Sequence, residues 1–131
     1  MSLAPPPAPT TPSDQAIENQ PEEAPAGGVP LGLEALELEQ AAALRCAVAF
    51  AVVSAWQGDG DDRGAAYPDL AKGGGREFFV RTMARLMDER GLDRAGVLDL
   101  VALQSRRFRS RPGTIEQIMP ACLMMKRSAG L

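Results

Sequence analysis

The chain has 131 residues and a formal net charge of −3, which favours a single domain and argues against a surface wholly devoted to nucleic acid. It has no histidine and only two cysteines, Cys46 and Cys122, so a zinc site would lack ligands. Both cysteines lie in apolar segments, and we predict two buried, unpaired thiols that pack as small hydrophobic side chains.

The charge is distributed unevenly along the chain. Residues 1–44 carry seven acidic residues and no lysine or arginine, whereas residues 45–131 carry all 14 basic residues against 10 acidic ones, a net charge of +4. Arginine outnumbers lysine by 12 to 2, and alanine, glycine and proline are abundant. This bias is typical of a GC-rich genome, as in many bacteria and their viruses. The body of the protein is therefore mildly basic behind an acidic start.

Residues 1–30 contain most of the 11 prolines, several acidic residues and no aromatic residue. Such a segment cannot bury enough apolar surface to offset the entropy lost on ordering. We predict a disordered acidic, proline-rich arm over residues 1–30, extended by its prolines. Its opening residues lack the basic and apolar regions of a signal peptide, and we therefore expect a cytoplasmic protein.

From Leu31 onward the pattern predicts an all-α domain, residues 31–128, built as a small bundle of about four helices. The first helix follows Gly32, has acidic residues in its first turns and continues through an apolar stretch at 41–56. A helix that is apolar on all sides should be the central one. As a helix, this stretch spans roughly 24 Å, short of the ~30 Å hydrocarbon core of a bilayer, so we predict no membrane span.

Residues 57–75 contain six glycines, one proline and four aspartates, and predict a long connecting loop. The aspartates resemble the start of a calcium-binding loop at Asp59, but Arg63 and Leu70 occupy positions that need oxygen ligands. We interpret the cluster as a solvated acidic turn. Residues 73–75 read as a glycine hinge, since the Gly-Lys-Ser/Thr of a phosphate-binding loop does not follow. We predict no cofactor and no metal site.

Three amphipathic patterns follow the loop. The second helix covers residues 76–91 and ends at Gly91, a residue suited to the left-handed conformation after a helix. The third covers residues 92–109, with Asp93 as its N-cap. Each presents a broad apolar face and places most of its charged residues elsewhere, as expected of helices packed on a shared core.

The fourth helix covers residues 114–127. Thr114 and Gln117 have the spacing of a capping box, in which each side chain bonds the backbone N–H of the other residue. Pro120 lies inside the helix and should kink or divide it, because proline has no N–H to donate.

The fourth helix is also very apolar for the C-terminal helix of so small a domain. Met119, Met124 and Met125 lie within this helix, and methionine side chains adapt to irregular cores and to binding grooves. We therefore expect a partner protein or a second copy of the chain to cover part of this face.

Four arginines fall within six residues at the end of the third helix, at Arg106, Arg107, Arg109 and Arg111. Cations there complement the negative end of the helix dipole, which accounts for about two of the four. Three interpretations remain open for the segment. It is a solvated helix end, a contact for an acidic partner or for the chain's own arm, or a contact for nucleic acid, on which Phe108 would stack.

Nothing in the sequence supports catalysis, since it lacks histidine, a nucleophile motif and a spaced pair of acids on a recognisable scaffold. We predict a non-catalytic protein–protein interaction module, an adaptor, assembly factor or regulator that binds its partner through an apolar helical surface. The candidate partner-binding residues are Arg106, Arg107, Arg109, Arg111, Met119, Met124 and Met125. The alternative is a small nucleic-acid-binding regulator that uses residues 106–111.

Overall fold

The computed structural model describes residues 31–131, and the predicted disordered arm, residues 1–30, lies outside the described residues. Helices alone form the described part, with no strand, as the all-α prediction requires. The four α-helices are α1 (Leu38–Gly58), α2 (Gly75–Arg90), α3 (Arg94–Ser110) and α4 (Thr114–Ser128). Two short 3-10 helices, Leu33–Ala35 and Asp62–Ala66, precede and follow α1.

The central helix is α1, which packs against α2, α3, α4 and the second 3-10 helix. Its residues 46–50 are all buried, so this part of α1 is enclosed around its whole circumference, as its apolar sequence predicts. The ring of Phe50 meets Phe78 of α2 edge-on, with centroids 5.3 Å apart. By length and composition alone, α1 would also suffice to cross a bilayer, and the core helix of a bundle has the same properties.

The start of α1 differs from the prediction. The chain after Gly32 makes a 3-10 turn, runs extended at Leu36 and enters α1 only at Leu38. Leu36 is buried, and Glu37 then forms a capping box with Gln40, whose Oε1 accepts from the Glu37 N–H at 3.1 Å. The helix begins late because this capping box satisfies the first N–H groups at Glu37 rather than at Gly32.

The predicted boundary between the second and third helices is confirmed. Gly91 follows α2 with φ of 63°, a left-handed conformation that glycine adopts without steric cost. Asp93 precedes α3, and its Oδ1 accepts a 2.8 Å hydrogen bond from the N–H of Gly96. Both signals act within one helical turn, which is why the sequence alone is sufficient to place them.

The predicted capping box of the fourth helix is wrong. Gly113, with φ of 91°, is the N-cap of α4, and the hydroxyl of Thr114 donates backward to the Arg111 carbonyl at 2.8 Å. The helix also continues through Pro120 to Ser128 without dividing. Pro120 is exposed, so water can reach the backbone carbonyl that its missing N–H leaves without a helical partner.

The two cysteines are buried as predicted, but they are not unpaired thiols. Cys46 of α1 and Cys122 of α4 form a disulfide, with Cα atoms 5.2 Å apart, within the usual range for such bonds. Their partnership depends on the packing of the first helix against the last. The sequence prediction failed because a separation of 76 residues carries no signal for that proximity.

Candidate functional site

The predicted long loop is folded around one side chain at the end of α1, that of Gln57. Its amide oxygen accepts a 3.1 Å hydrogen bond from the N–H of Leu70, which is buried. Its amide nitrogen donates to three carbonyl oxygens, those of Gly64 at 3.1 Å, Tyr67 at 3.3 Å and Pro68 at 2.8 Å. A single glutamine therefore closes the segment onto the helix and positions the second 3-10 helix beside it.

Gly64 allows that close approach. It is buried, and a Cβ atom at this position would lie 2.9 Å from the backbone nitrogen of Gln57 and 2.8 Å from its Cγ. Any larger residue would force the 3-10 helix away from α1. The glycine is thus a packing requirement of the loop.

The loop holds an ion pair over an aromatic ring. Arg63 Nη2 lies 2.7 Å from Asp61 Oδ2, and the guanidinium carbon is 4.2 Å from the ring centroid of Trp56. The side-chain hydrogen bond from Arg63, followed by its backbone N–H bond, lowers the pKa of Asp61 to about 2. The Asp61 carboxylate in turn raises the pKa of Arg63. Arg63 is consequently fixed as a cation against Trp56.

Asp61 of this ion pair also belongs to the aspartate cluster, which we predicted to be a solvated acidic turn. Arg63 binds the Asp61 carboxylate through its guanidinium group and through its backbone N–H, which donates to Oδ1 at 3.0 Å. Within residues 31–131, no group of three or more histidine, cysteine, aspartate or glutamate side chains is arranged to hold a metal ion.

A groove of about 640 Å³ opens beside this ion pair, where α1, the end of α3 and the start of α4 meet. We call it the arginine groove. Its apolar lining consists of Val52, Trp56, Phe108, Pro112 and Ile115. Its polar lining consists of Arg63, Ser105, Arg109, Arg111 and Glu116, and Gly113 completes it. The groove thus combines an apolar lining with a rim dominated by guanidinium groups.

Burial divides the lining into a floor and a rim. Phe108 and Ile115 are buried and belong to the core, and Trp56 is half-buried against it. Arg109 and Arg111 are exposed, and neither forms an ion pair with any carboxylate among the described residues. Glu116 is the one acidic side chain of the lining, and it lies close enough to Arg63 to contribute to the raised pKa of that arginine.

The structure separates the four predicted arginines into two pairs. Arg109 and Arg111 line the arginine groove, whereas Arg106 and Arg107 are exposed outside its lining. Phe108, between the pairs, is only 6% exposed and serves as a core residue. Ser105, Phe108 and Arg109 have the i, i+3, i+4 spacing of one helix face, which turns to the groove, whereas Arg106 and Arg107 lie outside that spacing. Arg111 follows the end of α3, in the turn that leads to α4.

The three predicted methionines do not line the groove. Met119 is fully buried, so a partner would not touch it without separating the helices. Met124 is 61% exposed and Met125 is half-buried, both on the later part of α4. Sequence reasoning treated Arg63 only as an obstacle to calcium binding. The contact between Arg63 and Trp56, seven residues apart, depends on the fold of the loop.

No protein-family model, curated protein or solved structure matches the chain. The geometry of the arginine groove is therefore the basis for inferring function.

Proposed function

We propose that the chain is a non-catalytic interaction module that binds another protein in the arginine groove. The observation that carries the proposal is the half-buried Trp56, set beside the buried Phe108 and Ile115 and bordered by exposed arginines. Tryptophan and arginine are enriched among the residues that contribute most to protein–protein binding. An apolar floor with a charged rim is the usual anatomy of such a contact.

A non-catalytic role is supported by the protonation chemistry of the site. The chain has no histidine, and the one carboxyl group beside the groove with a clearly shifted pKa, that of Asp61, is shifted downward to about 2. A general acid or base needs a pKa near the working pH, so a carboxylate fixed by Arg63 is poorly suited to transfer protons.

A separate feature bears on the compartment that we propose. The cytoplasmic location expected from the sequence stays a prediction, and the Cys46–Cys122 disulfide supports an oxidising compartment instead. Structural disulfides persist in such compartments, whereas cytosolic thiols are kept reduced.

Site-specific photocrosslinking in cells tests the proposed function. A photoreactive benzophenone amino acid is placed at position 116 in the test variant and at position 88 in the control. Glu116 is exposed at the groove and Asp88 is exposed on α2, and either replacement removes one negative charge. We expect a crosslinked protein from position 116 that is absent from position 88 and is lost when Trp56→Ala is added. Circular dichroism would establish that the Trp56→Ala variant is folded. Identical products from both positions, or none from either, would refute the proposal.

Light scattering on the purified full chain separates two kinds of partner. A dimer that dissociates in the Trp56→Ala variant would make a second copy the occupant of the groove. A monomer at all concentrations would leave another protein as the partner.

A further inference from the structure

We propose that the arginine groove takes an acidic segment of a partner protein, anchored by one aromatic or large aliphatic side chain. This inference rests on the proposed function and adds the chemistry of the partner to it. Three features of the groove lead to it: the cations left without an ion-pair partner, the helix ends that meet there, and the apolar floor.

The first feature is an excess of positive charge. Arg63 is already paired with Asp61, so the charges available to a ligand are those of Arg109, Arg111 and Glu116. Two guanidinium groups against one carboxylate favour an anionic ligand. Exposed arginine also suits carboxylates in particular, because its planar group of donors matches both oxygens at once.

The second feature is the meeting of two helix ends at the turn from Arg111 to Gly113. The negative dipole end of α3 and the positive dipole end of α4 are adjacent there, so each offsets the field of the other. The positive charge of Arg109 and Arg111 is therefore not cancelled by the end of α3. No side chain among the described residues caps α4 at Gly113, and the Thr114 N–H donates to the Arg111 carbonyl at 3.2 Å, so the N–H groups of Ile115 and Glu116 are the ones left without a side-chain acceptor.

The third feature is the apolar floor. A volume of about 640 Å³ is sufficient for a few side chains, and Trp56, Phe108 and Ile115 supply apolar surface to contact them. Acidic side chains alone would leave that apolar surface exposed to water. A ligand that fills the groove therefore needs an apolar anchor between its carboxylates.

Nucleic acid fits these features less well. The sequence suggested Phe108 as a ring on which a base would stack, but Phe108 is only 6% exposed, which leaves too little of the ring accessible for a stacked base. Arg106 and Arg107 are exposed outside the lining of the groove. A phosphate backbone would thus meet only half of the basic segment.

Fluorescence anisotropy with the full chain tests the inference. The labelled probes are an acidic peptide with a central tryptophan, its counterpart with glutamine in place of each glutamate, its counterpart with serine in place of the tryptophan, and a single-stranded DNA oligonucleotide. Each is titrated at about 50 mM and about 150 mM salt, because screening weakens contacts between exposed charges. We expect the first peptide to bind most tightly, with an affinity that falls as salt rises.

Matched double variants locate the contact. Arg109→Gln with Arg111→Gln should weaken binding of the acidic tryptophan peptide about tenfold or more, whereas Arg106→Gln with Arg107→Gln should weaken it less than about twofold. Both variants lose the same charge from the same basic segment, so a general electrostatic effect would move them equally.

The outcomes distinguish this inference from the proposed function. Equal affinity for the glutamine peptide, equal losses in the two double variants, or tighter binding of the oligonucleotide would each overturn the acidic partner. If the crosslink from position 116 still depended on Trp56 in that case, the groove would remain an interaction site for a partner of different chemistry. Absence of both the crosslink and peptide binding would remove the proposed function itself.

Discussion

Cys46 and Cys122 join the first and last helices of the bundle through a disulfide buried in the core. The bond closes a loop across 76 positions of the chain, which includes α2 and α3. Crosslinks of this kind restrict the unfolded chain far more than the folded one. The stability of the domain is therefore tied to the redox state of two residues.

Removal of the disulfide should destabilise the domain substantially. We expect the Cys46→Ala, Cys122→Ala variant to lose about 2–4 kcal/mol of unfolding free energy, measured by urea denaturation. A reductant should lower the urea concentration at which half of the wild-type protein is unfolded, and it should leave that of the double variant unchanged. Alkylation of intact cells before lysis reports the redox state in the cell, and thiols that react there would contradict an oxidising compartment.

Gln57 should be the residue on which the order of residues 57–75 depends. Its amide group makes four hydrogen bonds to the loop, and leucine would leave those backbone groups without their partner. We expect Gln57→Leu to cost about 1–3 kcal/mol and to speed hydrogen exchange at the Leu70 N–H. The same change at the exposed Gln117 of α4 is the control, with an expected effect within about 0.5 kcal/mol.

Gly64 should tolerate no side chain. A Cβ atom there meets the backbone of Gln57, so Gly64→Ala should cost about 1–3 kcal/mol through displacement of the second 3-10 helix. Gly58→Ala is the matched control, because nothing lies within 4 Å of a Cβ atom at that position. Thermal unfolding of both variants makes the comparison. Equal melting temperatures would show that the contact between loop and helix is loose.

Asp61 should titrate well below an ordinary aspartate. Its pKa is about 2 in the folded chain against a usual value of 3.8, because Arg63 donates to the ionised form. A lowered folded pKa stabilises the protein above about pH 4, and this contribution is lost as the pH falls toward 2. Carbon-detected NMR titration of the carboxyl group measures the value. Arg63→Gln should return it toward 3.8, and an unchanged titration would exclude the ion pair as its cause.

Much of the secondary structure is predictable from the sequence because its signals are local. The apolar periodicity of α2 and α3, the left-handed glycine at Gly91 and the Asp93 cap each involve residues within a turn or two of one another. Even here, local reasoning erred at Thr114, where a glycine in the left-handed conformation took the capping position. Thr114 and Gly113 could each occupy the capping position, and the conformation of the turn in the folded chain decides between them.

The candidate site could be predicted only in part. The four arginines at 106–111 stood out because together they exceed the needs of helix capping, but the separation of Arg109 and Arg111 from Arg106 and Arg107 depends on how α3 and α4 pack around the groove. Lys126 shows the same limit: nothing in its local sequence distinguishes it from a surface cation, yet it is buried, with its Nζ donating to the Gly73 carbonyl at 2.7 Å.

By itself, the sequence determined that the described domain is helical, where most of its helices end and which helix is central. Those properties follow from propensity, periodicity and capping between neighbours in the chain. Only the tertiary structure decided the pairing of Cys46 with Cys122, the closure of the loop on Gln57 and the assembly of the arginine groove. Each of these joins residues whose proximity is set by helix packing, and the sequence does not encode that packing as a local pattern.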